Sequence, residues 1–204
     1  MNHEKRLRIL NCAATFFTRF GFRKTSIAEI AKEARVAKGT IYLAAQSKQD
    51  LFFQVLHGQV REGLSLSAAL IDPRRPAPEL LPLVISSELL FFDNKPLVRQ
   101  LITGQVISQL PNEAVEFDAL RDLARQSMVE VLRLGIRQGH FRDDLDPEVI
   151  AELLQDLQVS TLMFSGQQVG LNKLTHPRWH TTLDLFNRGL DPTRDLTTPL
   201  ELMR

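Results

Sequence analysis

Histidines and acidic residues are the side chains of this sequence that would suggest metal or enzyme chemistry. His176 and His180 are four residues apart, a spacing that places two imidazoles on one helix face, and His140 stands three residues before Asp143. No cysteine or further nearby histidine completes a metal site, and Pro177 lies within the histidine pair. The sequence also lacks a glycine-rich phosphate loop, a Gly-x-Ser-x-Gly elbow and a His-Glu-x-x-His motif. We therefore predict no metal, no cofactor and no enzymatic activity.

Basic residues are concentrated at the start of the chain, which suggests a different chemistry, the binding of phosphates. The first 50 residues carry ten Lys/Arg and four Asp/Glu, a net charge of +6, whereas the remaining 154 carry 15 and 20, a net charge of −5. A basic segment joined to an acidic body is expected when only the first segment contacts a polyanion. A solvated basic face would give the same distribution, so the pattern of residues has to decide.

Composition limits the class of protein further. The 204 residues are 44% hydrophobic, which suffices for one sizeable core or two small ones. No run approaches the roughly 18 apolar residues of a membrane span, and the charged start is unlike a signal peptide. Cys12, the single cysteine, cannot form an intrachain disulfide. We predict a cytoplasmic protein with no membrane association.

Helix signals follow one another closely in the basic segment. Apolar residues at three- and four-residue spacing predict a first helix that ends at a left-handed cap, Gly21. A capping box over 26–29 opens a second helix, and a tight turn at 35–37 leads to a short third helix over 38–43. A weaker capping pattern over 47–50 opens a fourth. The second and third helices have the geometry of a helix-turn-helix, which lays a recognition helix in the DNA major groove.

Four stretches of this segment resemble the DNA-binding domain of TetR-family transcriptional regulators. The glycine after the first helix, both capping patterns and the run Lys38-Gly39-Thr40-x-Tyr42 agree with that domain in type and spacing together. A lone helix-turn-helix pattern would be much less specific. The resemblance covers about the first quarter of the chain, over residues 9–17, 21–27, 30–42 and 47–51.

The resemblance implies DNA contacts for seven residues. Hydroxyls and free amides at the start of the second helix would hold a phosphate. The start of the third helix would meet base edges, with a glycine that permits close backbone approach, and a tyrosine and a second lysine would bind phosphates. The alternative is that the hydroxyl residues only cap helices and the tyrosine only packs. The implied DNA-binding residues are Thr25, Ser26, Lys38, Gly39, Thr40, Tyr42 and Lys48.

Three alanines depart from the family pattern. Ala37 stands where a serine cap is common, and Ala44 and Ala45 stand where a His or Tyr and an aromatic residue are usual. The missing cap at Ala37 forfeits about 1 kcal/mol, and the missing side-chain contacts at Ala37 and Ala44 would remove phosphate anchors. Ala45 leaves core volume that Phe52, Phe53 or Leu43 must fill. We therefore predict weak or unusual operator binding.

The chain beyond residue 56 is predicted to be entirely helical. A proline-rich stretch at 71–78 predicts an extended connection after the fourth helix. A long helix over 112–138 is expected to end at Gly139, and Asp146 is expected to cap another. No segment alternates at period two, so the predicted fold class is all-α, with about five helices after the fourth.

The predicted organisation has two domains. A three-helix helix-turn-helix DNA-binding domain over 1–50 precedes a helical effector-binding and dimerisation domain over 51–190. The fourth helix, over about 47–65, connects the two, and residues 191–204 form a C-terminal tail.

Two helices of the second domain carry more apolar residues than one core requires, which favours a four-helix homodimer interface. The resemblance implies the same interface, and burial within one subunit is the alternative. A dimer would place two recognition helices about 34–36 Å apart, in successive major grooves of a palindrome. The predicted interface residues are Leu153, Leu157, Phe164, Trp179, Leu183, Phe186 and Leu190.

The resemblance also implies an effector pocket that the middle helices enclose. The many apolar candidates favour a hydrophobic ligand, although each of them also suits a plain core. The candidate lining residues are His57, Phe91, Phe92, Phe117, Met128 and Met163.

These features predict a ligand-responsive transcriptional regulator, a repressor that binds a palindromic operator as a homodimer and is released by a small, hydrophobic effector. Its predicted partners are double-stranded DNA, that effector and a second copy of the chain. The alternative function is a helical interaction module of the same fold with weakened or lost DNA binding. A gel shift with the DNA that flanks its own gene separates the two.

Overall fold

The computed structural model of the protein describes residues 2–164 and 177–193. Every regular element within these residues is helical, which confirms the all-α fold class. The α-helices are α1 (His3–Lys24), α2 (Ile27–Glu33), α3 (Lys38–Ala44), α4 (Lys48–Ala68), α5 (Ala77–Asn94), α6 (Pro96–Ile102), α7 (Ala114–Arg137), α8 (Pro147–Phe164) and α9 (Pro177–Gly189). Two short 3₁₀ helices, Gln105–Ser108 and Pro111–Glu113, lie between α6 and α7.

Polar caps determine where three of these helices begin, as predicted. The Glu29 amide donates to Ser26 Oγ at 3.2 Å and the Ser26 amide donates to Glu29 Oε2 at 3.3 Å, so the capping box of α2 is complete. The Ser47 hydroxyl accepts from an amide in the first turn of α4 at 3.0 Å. Asp146 accepts from the Glu148 amide at 2.9 Å at the start of α8.

Glycines end two helices at the predicted positions. Gly21 has φ +75° and interrupts α1 before its last residues. Gly139 has φ +72°, and the amides of Gly139 and His140 donate to the carbonyls of Ile136 at 3.0 Å and Gly135 at 2.9 Å. This pair of hydrogen bonds is a Schellman motif, which satisfies carbonyls that the end of α7 would otherwise leave unpaired.

The proline-rich connection is a turn, which corrects the prediction of an extended segment. Asp72 accepts from the Arg74 amide at 3.0 Å, and the Asp72 carbonyl accepts from the Arg75 amide at 3.0 Å. Gln138 of α7 also donates to the carbonyls of Pro73 at 3.1 Å and Arg75 at 3.0 Å. These side-chain hydrogen bonds fold back a segment whose prolines alone favour extension.

The described residues divide into two compact units. Unit 1 comprises Met1–Gly63 and Phe92–Ala124, and unit 2 comprises Leu64–Phe91 and Arg125–Arg204, each within the described part of the chain. Unit 1 therefore contains α1 to α3, most of α4, and α6, whereas unit 2 contains most of α5, the second half of α7, α8 and α9. The domain boundaries at residues 50 and 190 stay a prediction.

Aromatic rings form the centre of unit 1. Phe52 of α4 is buried, and its ring centroid lies 4.9 Å from that of Phe17 and 5.3 Å from that of Phe22. Both pairs meet edge to face, the arrangement that the ring quadrupoles prefer. This cluster joins α1 to α4 in the core of unit 1.

None of the described helices is long and apolar enough to span a membrane.

Candidate DNA-binding surface

The turn between α2 and α3 is held by backbone hydrogen bonds. The amides of Arg35 and Val36 donate to the carbonyls of Lys32 at 3.1 Å and Ala31 at 3.0 Å, which is again a Schellman arrangement. Arg35 has φ +53°, a left-handed conformation that costs a residue with a side chain about 1–2 kcal/mol. A glycine is usual at this position of the motif, so sequence patterns did not reveal the turn geometry at Arg35.

Helix α3 has one buried face and one exposed face. Ile41 and Ala44 point into the core of unit 1. Lys38, Gly39 and Tyr42 are exposed, Thr40 is half-buried and Leu43 is 76% exposed. The predicted contact residues of the recognition helix therefore share its solvent side, together with a leucine that the sequence analysis did not single out.

The exposed face of α3 offers hydrogen-bond groups that the fold does not use. Within residues 2–164 and 177–193, no hydrogen bond or ion pair engages the side chains of Lys38, Thr40 or Tyr42. A Cβ added at Gly39 would meet nothing within 4 Å. The fold itself thus does not require a glycine here, whereas close approach of a ligand to the backbone would.

Ala37 is the N-cap of α3 and has extended dihedrals, φ −66° and ψ 147°, with no side-chain cap. A serine in this conformation accepts a hydrogen bond from an amide two or three residues on. We expect Ala37→Ser to raise the free energy of unfolding by about 1 kcal/mol in urea titrations. Ala37→Val, which cannot cap, is the control. Equal stability of the two variants would contradict the prediction.

The two hydroxyl residues before α2 differ in accessibility. Thr25 is 2% exposed, and its hydroxyl donates to the carbonyls of Gly21 at 2.8 Å and Phe16 at 3.2 Å. This hydroxyl closes the turn after α1, so the structure does not support the predicted phosphate contact by the Thr25 side chain. Ser26 is exposed, and its hydroxyl accepts only from the Glu29 amide among the described residues. Its O–H therefore stays available to donate to a phosphate.

Lys48 has a structural role that the sequence analysis missed. Its ammonium donates to the carbonyls of Phe22 at 2.9 Å, Thr25 at 3.1 Å and Arg23 at 3.5 Å, and lies 4.4 Å from the centroid of the Phe22 ring. An ammonium has three N–H donors, and these face carbonyls in the last turn of α1 and at Thr25, which follows it. Lys48 thus ties the start of α4 to the end of α1. Its predicted phosphate contact is not supported by this geometry.

Removal of the Lys48 ammonium is expected to destabilise unit 1. Lys48→Met keeps the aliphatic length of the side chain and leaves the carbonyls without their charged donor, so we expect a loss of about 1.5–3 kcal/mol in the free energy of unfolding. Urea denaturation followed by circular dichroism measures it. Lys32→Met is the matched control, because Lys32 is exposed on α2, and its change should stay within about 0.5 kcal/mol. A similar loss in both variants would rule out the capping role.

The alanines that depart from the family pattern are buried. Ala44 is 7% and Ala45 4% exposed, and the Ala44 carbonyl accepts from Gln54 Nε2 at 3.1 Å. A larger residue at Ala44 would have to leave this buried position to reach a phosphate, so the structure does not support the predicted loss of an anchor there. Of the residues predicted to fill the space at Ala45, Phe52 is buried, whereas Leu43 is 76% exposed.

Comparison with known proteins agrees with this geometry. Residues 9–55 match the family described as "Bacterial regulatory proteins, tetR family". The match runs from within α1 into α4 and so includes the whole helix-turn-helix.

Relatives extend the similarity to the rest of the chain. The HTH-type transcriptional repressor KstR2 of Rhodococcus jostii is 28% identical over 74% of this chain and 75% of its own length. The fatty acid metabolism regulator protein of Bacillus subtilis is 27% identical over 91% of this chain and 95% of its own. The crystal structure of FadR from Bacillus subtilis in complex with stearoyl-CoA has a TM-score of 0.70 at 21% identity and covers 90% of this chain and 98% of that one. Residues 9–55 thus carry a TetR-type DNA-binding domain, and over about three quarters of its length the chain is similar to an HTH-type transcriptional repressor. These relatives are transcriptional regulators rather than enzymes.

The predicted dimer residues differ in their exposure. Leu153 is exposed on α8, and Leu157, Leu183 and Phe186 are half-buried. Trp179 and Leu190 are buried within unit 2, as the alternative of burial in one subunit expects. The side chain of the remaining predicted residue, Phe164, lies outside the described part of the structure.

The predicted effector residues are divided between the two units. In unit 1, His57 is exposed, whereas Phe92 and Phe117 are buried. In unit 2, Met128 is buried, Phe91 is half-buried and Met163 is exposed. Exposure argues against a lining role for His57 and Met163. The Phe117 ring lies 5.2 Å from that of Phe53, which is ordinary core packing in unit 1.

The histidine pair considered as a metal site is described only in part. His176 lies outside the described residues, and His180 is exposed. Among the residues that the structure does describe, no group of three His, Cys, Asp or Glu side chains is placed to hold a metal ion.

Proposed function

We propose that this TetR-family regulator represses transcription by binding a palindromic operator as a homodimer, and that a small, largely apolar effector releases it. The proposal of DNA binding rests on one observation, the chemistry of the exposed face of α3. On this face the side chains of Lys38, Thr40 and Tyr42 offer hydrogen-bond donors that have no partner among the described residues. Beside them, a Cβ added at Gly39 would meet nothing within 4 Å. Such a face suits direct readout of base edges and phosphate contact.

Each side chain on this face has a distinct role. Lys38 donates to the O6 and N7 acceptors of guanine, and Gly39 lets the start of α3 approach the bases. Thr40 offers a hydroxyl and a methyl group, and the exposed Leu43 offers an apolar contact to a thymine methyl. Tyr42 and Ser26 donate to phosphates, the latter at the amide-rich start of α2. The cytoplasm is where such a protein would meet its operator.

Exposed apolar residues support the homodimer. Val149 and Leu153 lie four residues apart on α8 and are about half exposed, and Leu185 on α9 is more exposed still. Residues four apart share one helix face, so this pair forms an apolar stripe. Burying the stripe against a second copy removes apolar surface from water and places two recognition helices on one palindrome.

The names of relatives support the apolar effector. One similar crystal structure is described as a complex with stearoyl-CoA, and one relative is named a fatty acid metabolism regulator. An effector releases the operator only if it binds the conformation that cannot bind DNA more tightly than the one that can.

The test is a gel shift with the DNA that flanks the gene, combined with sedimentation at micromolar concentration. We expect a dimer that shifts this DNA, and a Gly39→Ala variant that folds at least as stably but binds DNA more weakly, because alanine favours the helix while its methyl obstructs the bases. A monomer would contradict the dimer. No shift at low salt would contradict DNA binding and favour the interaction module.

A further inference from the structure

Two polar side chains are paired in the interior of unit 2. Glu88 of α5 is 3% exposed and Gln158 of α8 is fully buried. Gln158 Nε2 donates to Glu88 Oε2 at 3.3 Å and to the Ile85 carbonyl at 3.0 Å. Both amide hydrogens of Gln158 are thereby used, and the carboxyl and carboxamide groups lie side by side.

Each member of the pair leaves one oxygen without a partner. Glu88 Oε1 and Gln158 Oε1 are buried and accept or donate no hydrogen bond among the residues that the structure describes. A buried polar atom without a partner destabilises the fold, and native proteins retain few of them. Two such atoms on neighbouring groups indicate a position where a further polar group binds.

The chemistry of the two free oxygens is complementary. Burial raises the pKa of Glu88 to about 8, and the hydrogen bond from Gln158 opposes this rise. Glu88 is therefore mostly uncharged near neutral pH. Because Oε2 accepts from Gln158, the proton belongs on Oε1, which becomes a donor beside the acceptor Oε1 of Gln158.

The buried residues that flank the pair along both helices are mostly apolar. The exception is Gln155, buried one turn before Gln158, whose side-chain oxygen accepts from Arg125 Nη1 at 3.3 Å. Ile85 and Leu89 flank Glu88 on α5, and Leu154 and Leu162 lie one turn to either side of Gln158 on α8, all of them buried. A molecule that reaches the pair must be largely apolar and must bring one group that both donates and accepts a hydrogen bond. A hydroxyl meets both requirements with one atom.

We propose that Glu88 and Gln158 are the recognition pair of the effector site, and that they select an uncharged, largely apolar molecule bearing a hydroxyl group. This proposal depends on the proposed function in one respect, namely that the ligand bound by the pair is the effector. The hydroxyl accepts from Glu88 and donates to Gln158, so binding satisfies both free oxygens. Carboxylate and ammonium ligands are disfavoured, because each would bring a charge into an apolar site.

The fluorescence of one tryptophan can report ligand binding at the pair. Trp179 is the only tryptophan of the sequence, and its Nε1 donates to Ser86 Oγ at 3.3 Å. Ser86 precedes Glu88 by two residues on α5. Ligand binding at the pair is therefore expected to change the intrinsic fluorescence of Trp179 without any label.

The test titrates the full chain with three probes that share a ten-carbon chain, decan-1-ol, decanoate and decyltrimethylammonium, and follows Trp179 fluorescence. We expect decan-1-ol to bind at least about tenfold more tightly than either ion. Glu88→Leu and Gln158→Leu should each weaken decan-1-ol binding about tenfold, and Glu88→Gln, which keeps an uncharged donor, should restore most of it. Gln59→Leu makes the same substitution at a glutamine of unit 1 whose Oε1 also lacks a partner, and should leave binding unchanged.

Several results would overturn the proposal. These are tighter binding of either ion, binding of none of the probes, or equal decan-1-ol affinity in wild type and Glu88→Leu when circular dichroism shows both are folded. The proposed function is judged separately by the gel shift without any probe. If decan-1-ol releases DNA equally from wild type and Glu88→Leu, effector control stands and the recognition pair is wrong. If no DNA binds, the fluorescence titration still tests the pair.

The protonation of Glu88 has its own test. Its pKa in the folded chain, about 8, lies above the ordinary value of 4.5, so the folded state holds the proton more tightly. The stability that this carboxyl contributes is then complete below about pH 4.5 and is lost as the pH rises towards 8. The difference in unfolding free energy between wild type and Glu88→Gln should fall over that range. A difference independent of pH would contradict an uncharged Glu88.

Discussion

Lys38→Ala is expected to weaken operator binding about 5- to 150-fold, the equivalent of about 1–3 kcal/mol. Lys38 is exposed at the first position of α3, and its ammonium has no described partner, so its removal costs the fold nothing. The loss should be greatest on the operator and smaller on unrelated DNA if the ammonium reads a guanine. Fluorescence anisotropy with both DNAs, at several salt concentrations, measures the affinity and its salt dependence.

The matched control is Arg137→Ala, which also removes one exposed positive charge but lies at the end of α7, in unit 2. It should leave affinity for the operator nearly unchanged. If both variants lose equal affinity, net charge rather than base contact determines binding. If neither does, α3 is not the recognition helix. Thermal unfolding of Lys38→Ala should match that of wild type.

Phe52→Ala is expected to lower the free energy of unfolding by about 3–5 kcal/mol. The Phe52 ring is buried and contacts the rings of Phe17 and Phe22 edge to face, so its removal opens a cavity and also breaks two aromatic pairs. A loss of this size approaches the total stability of many domains. Urea unfolding followed by circular dichroism measures it, and DNA binding should fall in parallel as the folded fraction falls.

Leu43→Ala is the control for Phe52→Ala, since Leu43 is the exposed apolar residue of α3 and contributes little to the core. Its stability should stay within about 0.5 kcal/mol of wild type, although its DNA affinity should fall. A large destabilisation by Leu43→Ala would mean that Leu43 packs into the core rather than facing solvent. A small effect of Phe52→Ala would contradict the aromatic core.

Local patterns predicted the helix-turn-helix well. The capping box of Ser26 and Glu29, the caps at Ser47 and Asp146, and the end of α7 at Gly139 all lie where the sequence places them. Caps and glycine turns act over two to five residues, so neighbouring side chains suffice to predict them. The left-handed backbone conformation of Arg35 was not predicted, because arginine rarely adopts it and so does not indicate it in a sequence.

The roles of individual side chains were less predictable. Lys48 resembles a phosphate ligand in the sequence, yet it caps the chain at Phe22, 26 residues away. Trp179 belongs to an apolar stripe that suits a dimer, yet its indole binds Ser86, 93 residues away. Both outcomes depend on packing between helices distant in sequence, which periodicity does not encode.

The sequence by itself determined the helices, the turn between α2 and α3 and the donors on α3, because these depend on short-range caps and spacing. Only the tertiary structure decided which polar groups are already occupied, as Thr25 and Lys48 are, and which are buried with an oxygen free, as Glu88 and Gln158 are. Burial and pairing arise from long-range contacts, here between residues 70 positions apart, and these set both pKa and availability for a ligand.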